Sequence, residues 1–256
     1  MLVLFCLRLA VGLLACLLLL NPKQVNPRFY RTHLLTGVGL GAGSLVLSWG
    51  MAMPWLPVLL GAAVLVALLG SVSWSLEGAP GGTIGIFVSG VLLAVALVYF
   101  ELAQGDLGDS RSEPHAAVGW RLAGDFASAG LLGAATTAML MGHSYLIAPA
   151  MSLTPLLRLL AALAIATCVR MALGGVSFGL WSAAGGRFAL GDVAVWLPVR
   201  WALGFIGPLV LGWMAWRAAR VRSTQSATGI LYVVVIFCFL GELTGQLLLA
   251  TTGYVL

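Results

Sequence analysis

The sequence predicts an all-α integral membrane protein, a bundle of about eight transmembrane helices with both termini outside. Three observations carry that prediction: 61% of the 256 residues are hydrophobic, only 8% are charged, and the mean hydropathy is +1.06. An average soluble domain carries about a quarter charged residues. Here 13 basic and 8 acidic side chains would have to cover a water-facing surface, and they are too few. Soluble enzymes, nucleic-acid modules and disulfide scaffolds are thereby excluded. The 33 glycines fit helices whose backbones approach closely in lipid.

A hydrocarbon layer about 30 Å thick needs about 20 apolar residues per helix. Eight runs meet that length, roughly 2–20, 33–52, 55–76, 83–104, 126–148, 154–174, 193–216 and 227–250. In the first, Leu13-Leu14-Ala15-Cys16 faintly resembles a lipoprotein cleavage box, but Arg8 lies inside the run and Leu17 to Leu20 continue it. It therefore reads as a retained span. Asn21-Pro22 and Asn26-Pro27 end it, and Pro54 and Pro57 divide the second run from the third. Gly78-Ala79-Pro80-Gly81-Gly82 divides the third from the fourth, while Pro149 and Pro155 bracket the link from fifth to sixth.

Residues 175–192, rich in Gly, Ser and Trp, read as an interfacial or re-entrant stretch, and Pro208 should kink the seventh span. Gly37 and Gly41, Gly39 and Gly43, and Gly241 and Gly245 have the spacing of close helix contacts. Cys6, Cys16, Cys168 and Cys238 lie in apolar runs without CxxC spacing and read as buried structural thiols. The nine tryptophans mostly fall near span ends, as an aromatic belt does. The whole chain, 1–256, reads as one polytopic domain.

Charge sets the orientation. The odd-numbered loops hold Lys23, Arg28, Arg31, Arg158, Arg217, Arg220 and Arg222, and the even-numbered ones only Arg111, Arg121 and Arg187. Basic loops stay cytoplasmic, which puts both termini and the acidic 106–125 loop (Asp106, Asp109, Glu113, Asp125) outside. The net charge of +5 thus speaks for topology, not for nucleic acid.

Ionisable groups in hydrocarbon normally face the bundle interior and find partners. With a rise of about 1.5 Å per residue, Arg8, Glu101, Arg170, Arg200, Glu242 and Gln246 are expected in one depth band beneath the outer face. Two readings stay open. The band is either a set of Arg–Glu pairs that fix helix packing, or a polar pocket for a ligand head group that exchanges protons. A quinone suits the second: Glu242 as proton acceptor, with Arg170 or Arg200 orienting an oxygen.

A cytoplasmic-side constellation comprises His33, His143, Tyr30, Arg31, Tyr145 and Arg158. Two histidines on different helices are the minimum for bis-imidazole haem, yet His33 is interfacial and flanked by basic residues, so satisfied helix-end histidines or proton entry are preferred to haem. His115, in the outer loop, reads as solvent-exposed. No HExxH, GxSxG, P-loop, EF-hand spacing or Cys/His cluster occurs, and no metal site is expected.

The segment Phe239-Leu240-Gly241-Glu242-Leu243-Thr244-Gly245-Gln246 resembles the last helix of the membrane anchors of polysulfide and dimethyl-sulfoxide reductases, where a Gly-Glu-x-x-Gly-Arg segment recurs. Those anchors also share an eight-span topology with both ends outside. The resemblance covers one helix and the gross topology; Gln246 stands where the family has arginine, and the family's His-Leu-Gly segment has no counterpart. It implies a subunit of a respiratory-type electron-transfer complex in the bacterial inner membrane, contacting quinone or quinol near the outer face. The redox cofactor would then belong to an iron–sulfur or cytochrome partner docked there. A structural or assembly subunit, a small-anion transporter and a lipid-acting membrane enzyme are the alternatives.

Overall fold

The computed structural model describes residues 1–76, 81–107, 115–148, 151–186 and 192–256. Within them every regular element is helical: α1 (Leu2–Leu18), α2 (Pro27–Leu47), α3 (Trp55–Ser73), α4 (Gly82–Leu107), α5 (His115–Ile147), α6 (Thr154–Ala183), α7 (Asp192–Trp201), a π-helical turn (Ala202–Ile206), α8 (Gly207–Arg220) and α9 (Thr224–Thr252). Five stretches are long and apolar enough to cross a membrane: Trp55–Ser73, Gly82–Gln104, Thr154–Ala183, Val193–Arg220 and Thr224–Thr252. The protein is a multi-pass membrane protein. α1 is apolar but shorter, at 17 residues. The outward side chains of the longer helices fit a membrane: Ile84, Ile165, Val195 and Ile236 are all exposed.

Local chemistry explains the helix ends. Asn26 caps α2 by accepting a hydrogen bond from the Arg28 amide at 2.9 Å, and Pro27 occupies the first turn, where no amide proton is needed. α2 therefore starts six residues before the apolar run that predicted it. α9 ends at Gly253, whose left-handed φ of 74° lets its amide reach the Leu249 carbonyl.

The contacts divide the chain into two compact units, Met1–Gly133 and Ala134–Leu256. In the first, α1 packs on α2 and α4, and α3 packs on both of the latter. The first part of α5 meets α1 where Gly12 faces the Ala129 carbonyl and Gly133; a Cβ on either glycine would strike backbone. In the second unit, α9 packs along α7, the π turn and α8, and α6 packs on α8. Trp181, Leu197, Leu248 and Leu256 form a small apolar core there.

Four expectations need correction. Residues 175–183 are not a separate re-entrant stretch; they continue α6 as helix to Ala183. The Gly174 position is a contact point, since a Cβ there would lie 3.4 Å from the Phe205 ring. Residues 115–125 are not loop but the first turns of α5. Hydropathy assigned them to a loop because of Arg121 and Asp125, yet no proline interrupts 115–148. Cys168 is exposed on α6 and Cys6 is half-buried, whereas Cys16 and Cys238 are buried as expected; none of the four forms a disulfide. Gly39 and Gly43 make no close contact, with nothing within 4 Å of either Cβ position, while Gly41 abuts Val64. Residues 78–80, Asp109, Arg111, Glu113, Pro149 and Arg187, and the side chains of Asp106 and His115, lie outside the described residues.

Candidate functional site

The most strongly charged buried site of the second unit starts from a proline. Pro208 has no amide proton, and in an unbroken α-helix its ring would press on the carbonyl four residues back. The π turn 202–206 widens the helix just before it, and the Gly207 amide bonds to the Ala202 carbonyl instead. The predicted kink at Pro208 thus takes the form of a π turn. Immediately upstream, in the last turn of α7, stands Arg200.

Arg200 is fully buried, with 0% of its surface exposed. Its Nη2 donates to Glu242 Oε1 on α9 at 2.9 Å. From α6, Arg170 brings its Nε to 3.6 Å from the same oxygen. Two guanidiniums on different helices therefore converge on one carboxylate. The guanidinium carbon of Arg200 also lies 4.4 Å from the Phe205 ring centroid, a favourable cation–π placement.

Glycines make this approach possible. At Gly245 a Cβ would come within 3.2 Å of both Cζ and Nε of Arg200. A Cβ at Gly204 would lie 2.9 Å from Arg200 Nη1 and 3.2 Å from the Gly241 Cα, and one on Gly241 would overlap Gly204. The Gly241–Gly245 spacing thus serves both helix packing, as predicted, and a cradle for the arginine. One turn after Glu242, Gln246 is buried at 4% exposure, and neither its Nε2 nor its Oε1 has a hydrogen-bond partner. Arg200 Nε and Nη1 lack acceptors as well.

The other predicted positions fall in the first unit. Arg8 of α1, buried, pairs with Asp125 of α5 through Nη2 and Oδ1. Glu101 of α4, also buried, lies in the field of Asp125, Arg8 and Arg121. Hydropathy places Asp125 in an outer loop; the structure places it in α5, buried against Arg8. The available signal was the proline-free stretch that carries α5 across it.

The second predicted constellation is divided between the two units. His33 belongs to the first unit, fully buried, with Nδ1 donating to the Phe29 carbonyl at 2.9 Å and its ring centroid 4.1 Å from that of Phe29. Its neighbour Tyr30 stacks on Trp74 with centroids 4.4 Å apart. In the second unit, His143 and Arg158 are exposed, and Tyr145 is buried with its hydroxyl donating to the Ser152 carbonyl. That bond ties the end of α5 to the turn before α6. Among the described residues no group of three or more His, Cys, Asp or Glu is placed to hold a metal ion. Compared with protein-family models, with curated proteins and with solved structures, the chain matches none.

Proposed function

We propose that the chain is an integral subunit of a respiratory-type electron-transfer complex, with eight spans and both termini outside, and that it contacts quinone or quinol through the Arg170–Glu242–Arg200–Gln246 cluster. The observation that carries this reading is the set of buried donors on Arg200 and Gln246 that have no acceptor. Two buried guanidiniums share one carboxylate, and arginine does not lose its charge at accessible pH. Buried donors without acceptors are costly, by about 1–3 kcal/mol each. Arg200 Nε and Nη1 and the Gln246 amide would gain from an oxygen-rich guest.

A quinone fits that donor set: its carbonyl oxygens accept hydrogen bonds, and its oxidation from the quinol releases protons. Arg200 and Gln246 would orient an oxygen, Arg170 would hold the Glu242 carboxylate in place, and Glu242 would take the proton. An iron–sulfur or cytochrome partner on the outer face would take the electrons. In the complex purified with mild detergent, Glu242→Gln should abolish most quinol turnover while the subunits still copurify. Gln246→Leu, which leaves the ion pairs intact, should weaken quinol binding. Undiminished turnover in both variants overturns the reading.

One observation favours a second reading, a structural subunit. Arg200 is enclosed by Gly204, Gly241, Gly245 and Phe205, as in a fastening between α7 and α9. On that reading Glu242→Gln disrupts assembly and Gln246→Leu leaves turnover unchanged.

A further inference from the structure

A second feature of the Ala134–Leu256 unit is independent of the ion-pair cluster. Between α6 and α8 runs a groove of about 390 Å³, within the range of about 300–1,000 Å³ that small-ligand sites occupy. Its walls are apolar, made by Leu160 and Leu163 on one side and Pro208, Leu209 and Trp213 on the other. Ala161, Ala164 and Gly212 leave the space open: a Cβ at Gly212 would touch only Leu163, at 3.5 Å. At the end of α8 the lining changes to Arg217 and Arg220, both exposed. These two residues, with Val221, line an adjoining hollow of about 480 Å³.

Arg217 is held over the Trp213 ring, its guanidinium carbon 5.2 Å from the centroid. That contact presents the charge at the mouth and fixes one wall of the groove. Arg222 adds a third positive charge two residues on, and no acidic residue occurs between Asp192 and Glu242 to neutralise them in the local sequence. An apolar slot with a doubly basic mouth at the end of a membrane-spanning helix complements a molecule with a hydrocarbon chain and an anionic head. A zwitterionic lipid would leave the excess charge unmatched, and a neutral isoprenoid would leave it untouched.

We propose that the α6–α8 groove holds one acyl chain of an anionic phospholipid whose phosphate is bound by Arg217 and Arg220. Basic side chains near an anionic lipid surface each strengthen binding by roughly fivefold. The groove selects for a chain; the arginines select for the head.

The test is lipid retention by the whole chain, purified in neutral detergent and offered phosphatidylglycerol and phosphatidylcholine of identical acyl chains in equal amounts. Native mass spectrometry should show one phosphatidylglycerol held in preference. In the double variant Arg217→Gln/Arg220→Gln the preference should fall by roughly fivefold for each arginine removed. Gly212→Leu should abolish retention of both lipids, and Ala161→Leu should do the same from the opposite wall if the first variant does not fold. Glycerol phosphate alone, at equal concentration, should not displace the lipid. Equal retention of the two lipids by the unaltered protein overturns the proposal. So does an unchanged preference in the double arginine variant, displacement by glycerol phosphate, or full retention in a groove-filled variant that melts at the unaltered temperature.

Discussion

The two units bury their charges in opposite proportions. In the first, one buried guanidinium, Arg8, with the half-buried Arg121 nearby, stands against two buried carboxyls, Asp125 and Glu101. In the second, two guanidiniums, Arg170 and Arg200, stand against the single carboxylate of Glu242. The difference matters because a surplus carboxyl can be neutralised by a proton, whereas a surplus guanidinium keeps its charge and must find an acceptor. The first cluster can balance itself from within. In the second, Arg200 Nε and Nη1 and the Gln246 amide lack acceptors, and that asymmetry is why the functional reading rests on Glu242 and its neighbours.

The sharpest way to break this comparison is to remove the acidic partner from each cluster in turn. Glu242→Ala takes the bonded carboxylate from the fully buried Arg200 and should cost about 3–5 kcal/mol, the range seen when one partner of a buried pair is deleted. Asp125→Ala leaves Arg8 beside Glu101 and should cost clearly less. Thermal melting in one detergent measures both, and an equal loss for the two variants would show that the charge balance of the clusters is immaterial.

Glycine substitutions come next in size. In each unit two helices cross backbone to backbone, at Gly12–Gly133 and at Gly204–Gly241, where no flexible side chain can yield. Gly12→Ala and Gly241→Ala should each destabilise by about 1–3 kcal/mol. Gly39→Ala, on an open face of α2, should instead be neutral or stabilise by up to about 1 kcal/mol, because alanine suits a helix better. Melting curves that rank Gly39→Ala with the other two would contradict the packing described here.

The smallest expected effect is on Gln246. Replacing its unpartnered amide in Gln246→Leu should leave stability unchanged or raise it by up to about 1 kcal/mol. A marked loss of stability would mean that the amide is already satisfied in the folded protein, and the acceptor shortage of the second cluster would shrink accordingly.

Helix existence was legible because apolar run length is a direct consequence of bilayer thickness: Trp55–Ser73 and Thr224–Thr252 both grew from runs recognised in the sequence. Their limits were less so. Hydropathy reads Asp125 as loop, but inside α5 its charge is offset by Arg8, more than a hundred residues away, and no local rule anticipates that partner. That buried arginines and glutamates pair is legible, since charges in lipid need partners, but not which arginine takes Glu242. That Arg200 would need Gly245 to make room for it is not legible either, because the same glycine spacing already has a sufficient explanation in helix packing. Conversely, Gly39 and Gly43 carry the same pattern and face open space. Spacing alone does not say which face of a helix meets a neighbour.

The π turn at 202–206 has a consequence for everything downstream of it. One extra residue in a helix advances the angular phase by about 100°, so the stretch from Val193 to Arg220 presents Arg200 toward α9 and, after the offset, Pro208, Gly212 and Trp213 toward α6. A single helix thereby addresses two neighbours without a break in the chain. Deleting one residue, such as Leu203, would close the turn into ordinary α winding and leave both faces where they are, whereas deleting a residue after Pro208 would turn the arginine-lined end of α8 away from its slot.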